Sequence, residues 1–389
     1  MGENRFYKKT ESEKAASGKT ASGKADWKKQ AVKGLVSMIL ITASLLLLFA
    51  AEKSAAFAQW YCRYIYRGLV EVFGRIFSVF PFSAAEIGLY LLVIGLTAGL
   101  LVSLAKLIVR PKKLLTLAKA GSSFLLVVSV LLFTFTLGCG INYKKDAFSK
   151  QNSLFTFEYT KEELINLSRS LTADVNKWAE KVDRNAGGIT LEAPDLKQEA
   201  VTAMKKLSET YEDLKGYYPI PKNLLFSDLL SVQKTSGIYS PFTIEANYNN
   251  DMVPFNLPFT ACHELSHLRG YMLEDEANFI AYLACMSSDS PYFKYSGSLL
   301  AWIYTTNVLY RADAAAYREV RASLLPEVET DLKANTAFWH QYDGQIAKAA
   351  TKVNDTYLKA NGQNDGVKSY NRMVDLLVAY DNVALANAD

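Results

Sequence analysis

The residues best suited to chemistry in this chain form the pentapeptide His263-Glu264-Leu265-Ser266-His267. It contains two of the three histidines of the protein. Residues four apart on an α-helix share one face, so both imidazoles could reach a single Zn²⁺ ion. Glu264 would then project beside them toward a water, where a carboxylate can act as general base. The pattern predicts metal-assisted hydrolysis, with His263 and His267 as zinc ligands and Glu264 as the catalytic group.

The flanking residues predict one short helix that carries this motif. Asn256 suits the N-cap, Pro258 suits the first turn, and Gly270 suits a helix stop. The spacing is the H-E-x-x-H pattern of zinc metallopeptidases. The alternative is a helix with two structural histidines, which is improbable in a chain so poor in histidine.

A catalytic zinc needs a third protein ligand, and the next segment offers acidic candidates. Residues 274–278 resemble the E-x-x-A-[DN] pattern of gluzincin peptidases. The resemblance implies that Glu274 is the third ligand and that Asn278 supports a histidine ligand. Glu276 is the alternative ligand, because only six residues separate His267 from Glu274 and the chain must reverse tightly through Gly270. A purely structural interpretation is that the acidic cluster stabilises a helix start through the helix dipole.

Three uncharged apolar runs predict transmembrane helices at about 34–51, 87–105 and 120–141. Each is close to the ~20 residues needed to cross a bilayer. The motif lies over a hundred residues beyond the last run, which argues against an intramembrane protease. We expect a multi-pass protein of the cell membrane that contacts the lipid bilayer.

Basic residues cluster before the first run and after the second run, and this placement predicts the orientation. Residues 1–33 and the loop at 106–119 are rich in Lys and Arg, and such segments face the cytoplasm. The N-terminus is therefore predicted inside and the C-terminal domain outside the cell. The basic segments contain Arg5, Lys8, Lys9, Lys14, Lys19, Lys24, Lys28, Lys29, Lys33, Lys106, Arg110, Lys112, Lys113 and Lys119.

The chain divides into three predicted parts. Residues 1–33 form a basic, disordered cytoplasmic tail with Gly/Ser/Lys/Ala repeats. Residues 34–143 form a membrane domain with the three spans and an amphipathic helix at about 60–79, which either lies in the membrane interface or packs as an ordinary extracytoplasmic helix. Residues 144–389 form the extracytoplasmic zinc domain.

The fold class predicted is mainly α, with three transmembrane helices followed by a helix-rich, zincin-like metallopeptidase domain that has a small β-sheet. Thr160-Lys161-Glu162-Glu163 has the pattern of a capping box at a helix start. Residues 237–249 are the only convincing strand region, and an edge strand there could bind substrate by strand addition.

The combined motifs resemble an uncharacterised bacterial family of multi-pass membrane proteins with a zinc metallopeptidase-like domain. Phe80-Pro81-Phe82-Ser83 between the first two spans, residues 258–267 and residues 274–279 carry this resemblance. It implies a membrane-anchored peptidase that acts on a peptide or protein with Zn²⁺ as cofactor. The alternative is a non-catalytic, zinc-containing membrane sensor or scaffold. Three residues are candidate donors to the oxyanion, and the sequence does not rank them: Tyr370, His340 and Tyr239.

The distribution of charge along the chain argues about the class of binding partner. Residues 1–141 hold 18 Lys/Arg and 7 Asp/Glu, whereas the remainder holds 25 and 32. An acidic C-terminal part argues against nucleic acid as a partner.

Four cysteines do not form a disulfide framework, and we expect Cys262 and Cys285 to be buried thiols, with a bridge between them as the alternative.

The predicted orientation can be tested by labelling. A cysteine introduced near Asp365 should react with a membrane-impermeant thiol reagent on intact cells, because the C-terminal domain is expected outside. Labelling that occurs only after lysis would reverse the predicted orientation.

Overall fold

The computed structural model of the protein describes residues 3–109 and 113–386; for residues 3–23, 371 and 384–386 it describes the backbone alone. Arg110 and Lys112 of the second basic segment therefore lie outside the described residues. The fold is mainly helical with one small sheet, as the sequence predicts. The chain divides into two compact units, Met1–Phe49 with Ile87–Thr136 and Ala50–Glu86 with Leu137–Asp389. We call these the membrane unit and the C-terminal unit.

In chain order, the helices are α1 (Glu3–Lys53), α2 (Ala55–Tyr61), α3 (Arg67–Ser78), α4 (Ala84–Val109), α5 (Lys113–Phe135), α6 (Phe148–Gln151), α7 (Lys161–Ala179), α8 (Leu196–Thr210), α9 (Asp228–Ser231), α10 (Asn256–Leu268), α11 (Glu274–Ser287), α12 (Pro291–Ala312), α13 (Ala314–Ala322), α14 (Pro326–His340), α15 (Gln345–Ala360) and α16 (Met373–Ala386). π-helical turns lie at Cys62–Tyr66 and Thr136–Gly140, and 3₁₀ turns lie at Ile141–Lys144, Glu212–Leu214 and Gly366–Arg372.

Three helical stretches are long and apolar enough to cross a bilayer: Lys24–Lys53, Ala84–Val109 and Lys113–Lys144. Each contains one of the runs predicted from the sequence. Their Leu, Ile and Val side chains are largely exposed. So large an apolar surface is unfavourable in water but favourable in contact with lipid. The protein is therefore a membrane protein with three candidate spans.

The basic N-terminal segment differs from its prediction. Disorder is expected for residues 1–33, but the backbone is helical from Glu3 and continues directly into the first span. The physical reason is composition, because Ala, Lys and Glu have high helix propensity and a rigid apolar helix follows without a break.

Residues 50–86 also differ from their predicted domain. The sequence assigns them to the membrane domain, whereas the structure groups them with the C-terminal unit. The predicted amphipathic helix is present as α2, a π turn and α3. Its inner face buries Tyr66 and Val70 completely, and Arg63 pairs with Asp213 at 3.0 Å. An apolar helix face has the same sequence pattern whether it packs on protein or on lipid, so the domain assignment could not be predicted from it. The location of this helix in the membrane interface stays a prediction.

The core of the C-terminal unit forms around paired helices. The predicted capping box is present, since Thr160 accepts a hydrogen bond from the backbone N–H of Glu163, whose carboxylate accepts from the N–H of Thr160. The helix α7 packs its apolar face on α12, where Trp302 Nε1 donates to Thr172 at 2.9 Å. All four cysteines are buried thiols without disulfides, as expected for Cys262 and Cys285.

The sheet has the strand order β1-β3-β2. The predicted strand region forms a hairpin of β2 (Gly237–Ser240) and β3 (Glu245–Tyr248), which pair antiparallel with Ile238 opposite Asn247. The two-residue strand β1 (Lys222–Asn223) pairs parallel to β3 and is too short to be predicted from sequence. The hairpin lies directly before α10 and packs against it.

A buried ion pair joins this sheet to the start of α4. Glu245 is 2% exposed and accepts hydrogen bonds from Lys222 Nζ and from the backbone N–H groups of Ala84 and Ala85, at 2.5, 3.1 and 2.7 Å. Lys222 Nζ also donates to the carbonyl of Phe77 at 2.8 Å. The carboxylate thus satisfies the first N–H groups of a helix that has no earlier turn to receive them.

Replacing Glu245 with Ala should destabilise the protein strongly. It leaves the buried ammonium of Lys222 without its partner, a loss of about 3–5 kcal/mol, or about 10 °C in melting temperature for a unit of this size. Thermal unfolding in detergent, followed by circular dichroism, measures this shift. The control Arg169→Ala removes an exposed pair with Glu319 and should change the midpoint little. Equal shifts for both variants would show that the buried pair is not a stabilising element.

Candidate metal centre

The motif histidines lie on α10, which is buried along its whole length. Leu257, Ala261, Leu265 and Leu268 are buried, and the first three belong to the hydrophobic core of the C-terminal unit. The helix ends as predicted near Gly270, whose φ of +83° is a conformation that glycine adopts without strain. A side chain there would also collide with Cys62 Sγ, at 2.8 Å from the position of a Cβ. The reversal of the chain after the motif therefore requires this glycine.

Three side-chain donor atoms converge after this reversal. The Nε2 atoms of His263 and His267 are 3.0 Å apart, and Glu274 Oε2 lies 3.3 and 3.7 Å from them, respectively. Each of the three residues is at most 9% exposed. Among the described residues, these three form a group of His, Cys, Asp or Glu side chains close enough to hold one metal ion.

The dimensions of this triangle suit zinc. Four ligands at 2.0–2.1 Å in a tetrahedron are about 3.3 Å from one another. The three measured separations scatter around that value, and a point about 2 Å from all three atoms exists just outside their plane. Two imidazoles and one carboxylate are also a donor set that zinc accepts, with a fourth position left for water. The residues present therefore fit a zinc ion.

The orientation of His267 is set by a second contact. Its Nδ1 lies 2.7 Å from the carbonyl oxygen of Tyr271. A carbonyl oxygen can only accept a hydrogen bond, so Nδ1 of His267 carries a hydrogen. In the neutral imidazole, Nε2 then presents its lone pair toward the space between the three ligating atoms. The N–H of Glu274 donates to the side-chain oxygen of Gln363 at 3.2 Å, which anchors the first turn of α11.

The charges of the three groups are strongly coupled. Burial disfavours the imidazolium form of His263 and lowers its pKa. Burial opposes protonation of His267 too, but the hydrogen bond and charge of Glu274 outweigh it and raise the pKa of His267 to about 9. Burial likewise opposes ionisation of Glu274, yet the two histidines hold its pKa well below the usual range. The site therefore favours a positive charge, here the proton on His267, next to the Glu274 carboxylate.

Glu264 lies beside the triangle but is not part of it. Its carboxylate packs against β2, where a Cβ on Gly237 would be only 2.4 Å from Oε1, and it accepts from the backbone N–H of Tyr239. Within the described part of the chain, Oε2 has no hydrogen-bond partner. Burial raises the pKa of Glu264 to about 8, near neutrality, where a proton acceptor is most effective.

The other acidic candidates have different partners. Glu276 accepts from the backbone N–H and hydroxyl of Ser149, at 3.0 and 2.6 Å, which turns it away from the histidines. Asn278 is buried, and its amide favours the protonated form of His263. The structure thus brings Glu274 to the two histidines, keeps Asn278 beside His263, and uses Glu276 to cap the start of α6.

The three candidate oxyanion donors differ in their exposure and in their contacts. The side chain of His340 is 82% exposed and lies 3.8 Å from Asp343. The hydroxyl of Tyr239 hydrogen-bonds to Tyr66 and to the carbonyl of Gly138, at 2.8 and 3.1 Å. Burial and the charges of Glu274 and Glu264 raise the pKa of Tyr370 well above its usual value. Of the three side chains, the phenol of Tyr370 is the one whose pKa is raised by the charges of the site.

Several residues near the site were not predicted. Burial and the charge of Glu274 raise the pKa of Tyr304 to about 12. Nothing in its helical context distinguishes it from a core tyrosine. Gln363 lies in a Gly-rich turn that has the pattern of a simple connection. Gly237 did offer a signal, because a glycine in a strand often marks a close approach.

The coupling of His267 to Glu274 can be measured in metal-free protein. With ¹³C-labelled histidine, only three ring signals occur, and that of His267 should titrate near pH 9. Glu274→Gln should lower this pKa to about 6.5 or below, because the carboxylate charge is lost. The control Glu276→Gln should leave it unchanged. A response to both variants, or to neither, would contradict the contact.

Comparison with known proteins places most of the chain in one family. Residues 61–378 match the family described as "Protein of unknown function (DUF3810)". The match includes His263, Glu264, His267 and Glu274. No curated protein and no solved structure matches the chain. The chain belongs to the DUF3810 family of proteins of unknown function.

Proposed function

We propose that the protein is a membrane-anchored zinc peptidase whose C-terminal unit hydrolyses peptide bonds outside the cytoplasm. The observation that carries the proposal is the convergence of His263 Nε2, His267 Nε2 and Glu274 Oε2 within 3.0 to 3.7 Å, with Glu264 next to them. Two ligands on one helix, a third on the next helix and a strand bordering the general base form the arrangement expected of a zincin-like domain.

The residues divide the catalytic tasks between them. His263, His267 and Glu274 would hold the zinc ion, and the Tyr271 carbonyl would orient the imidazole of His267. When bound, zinc supplies Lewis-acid chemistry to a water and to the scissile carbonyl. Glu264 takes a proton from the attacking water and passes it to the leaving amine.

Two further elements would serve the substrate. Tyr370 is the candidate donor to the developing oxyanion, since the charges of Glu274 and Glu264 act on its phenol. The strand β2 is at the edge of the sheet and borders Glu264, so an extended peptide could pair along it. Orientation follows the basic segments, with the N-terminus inside and the C-terminal unit outside.

A non-catalytic zinc sensor or scaffold is the competing function. A structural zinc site is closed by four protein ligands. In the described part of the chain the group contains three, and Glu264, whose charge interacts with His267 and Glu274, has one oxygen without a hydrogen-bond partner. Both features favour an open, catalytic site.

Three substitutions separate these functions. Glu264→Gln keeps size and hydrogen bonding but removes the base, so peptide hydrolysis should fall about 10²–10⁴-fold while zinc content stays near wild type. Glu274→Gln should lose zinc itself, as should His263→Ala. The measurements are elemental analysis and digestion of a peptide library by the purified full-length protein.

Glu276→Gln is the matched control, because this carboxylate contacts Ser149 instead of the histidines. It should retain zinc and activity. Peptide cleavage by Glu264→Gln at the wild-type rate would refute the peptidase function. Zinc loss in Glu264→Gln as severe as in Glu274→Gln would refute the division of roles.

A further inference from the structure

The C-terminal unit includes one end of each of the three candidate spans. The boundaries between the two units fall at Phe49/Ala50, Glu86/Ile87 and Thr136/Leu137, each inside a candidate span. Residues 50–53, 84–86 and 137–144 therefore belong both to spans and to the C-terminal unit. We call these residues the span ends. Because each continues directly into an apolar helix, the span ends mark the level of the bilayer surface.

The third span end touches the loop that leads to the metal ligand. Cys139 Sγ lies 3.6 Å from Met272 Sδ, two residues before Glu274. The side chain of Asn142 lies against Gly270, with 3.5 Å between its Cγ and the position of a Cβ. Cys139 is the third residue after the unit boundary at Thr136/Leu137 and lies in the π-helical turn Thr136–Gly140. The loop before the candidate ligand Glu274 thus contacts residues that also belong to the third candidate span.

The strand that borders Glu264 rests on the same span end. A Cβ on Gly138 would be 2.4 Å from the carbonyl oxygen of Pro241, so the two backbones are in direct contact. The hydroxyl of Tyr239 donates to the carbonyl of Gly138 at 3.1 Å. Any peptide that pairs with β2 next to Glu264 would therefore lie close to the end of the third candidate span.

Exposed apolar side chains occur on β2, in the turn after it and beside the second span end. Ile238 on β2 and Phe242 in the following turn are 50% and 48% exposed. Leu225 is 57% exposed and is held at the second span end, where its N–H donates to Glu86 at 2.8 Å. Exposed apolar side chains can contact a membrane interface or an apolar peptide.

We propose that the substrate is a membrane-anchored polypeptide, cleaved within a few residues of the bilayer surface on the extracytoplasmic side. The inference rests on the proposed peptidase function and adds the substrate class. In the reaction the C–N bond breaks, the oxygen of water bonds to the carbonyl carbon, and its protons are shared between the new carboxyl and amine groups. The exposed side chains of Ile238 and Phe242, which we call the apolar rim, would receive the residues that emerge from the membrane.

The test uses the full-length protein in lipid nanodiscs with a single-span reporter. The reporter carries the same mixture of randomised ten-residue cassettes twice outside the membrane, 3 and 30 residues from its span. A soluble peptide with the same cassettes is the third substrate. We expect cleavage of the near copy at least ~10-fold faster than that of the far copy or the soluble peptide. Tethering alone does not produce this ratio, because both copies belong to one tethered chain.

The outcomes separate the two proposals. Cleavage of the far copy or the soluble peptide as fast as the near copy would overturn the inference and leave the peptidase function intact. Failure to cleave any of the three, in protein that contains zinc, would overturn the peptidase function and the inference with it.

Variants test the apolar rim directly. Ile238→Ser and Phe242→Ser should slow cleavage of the near copy at least several-fold while zinc content is retained. The control Leu191→Ser changes a side chain that is 44% exposed in the loop before α8 and should have no effect. Equal rates for the rim variants and the control would overturn the assignment of this rim to the substrate.

Discussion

The reversal of the chain between His267 and Glu274 is the constraint on which the site depends. Six residues must end one buried helix, turn and start another so that the carboxylate faces the imidazoles. The positive φ of Gly270 allows the turn, and the carbonyl of Tyr271 returns to fix the ring of His267. The short connection leaves little freedom, so it holds the three donors rigidly and favours a single metal geometry.

The carboxyl groups of the site are buried, so their negative charges must be balanced by nearby positive charge. Glu274 and Glu264 are carboxyl groups at most 9% exposed, and a buried charge without a partner costs several kcal/mol. In the metal-free protein the proton on His267 balances Glu274, and burial pushes Glu264 toward its neutral form. A divalent cation between the donors would balance both carboxylates. The proposed zinc ion therefore explains why two acidic groups are placed together in a largely apolar core.

Local signals in the sequence predicted much of this structure. The helix at 256–268, the capping box at Thr160 and a strand region within 237–249 follow from spacing and turn residues. The predicted N-cap is wrong by one residue, since Phe255 takes that place and Asn256 is the first residue of the helix. The choice between Glu274 and Glu276 did not, because both lie in the first turn of one helix and only the reversal through Gly270 separates their directions. The unit boundary at residues 50–86 and the place of Tyr370 depend on long-range packing, which one sequence does not encode in a readable pattern.

X-ray absorption at the zinc edge of the purified full-length protein tests the central claim most directly. It reports the elements and distances around the ion without needing a substrate. The expected result is one zinc per chain with nitrogen and oxygen neighbours at about 2.0–2.1 Å, including two imidazoles. An absence of zinc in carefully prepared protein, or a sulfur neighbour at about 2.3 Å from one of the cysteines, would contradict the proposed centre.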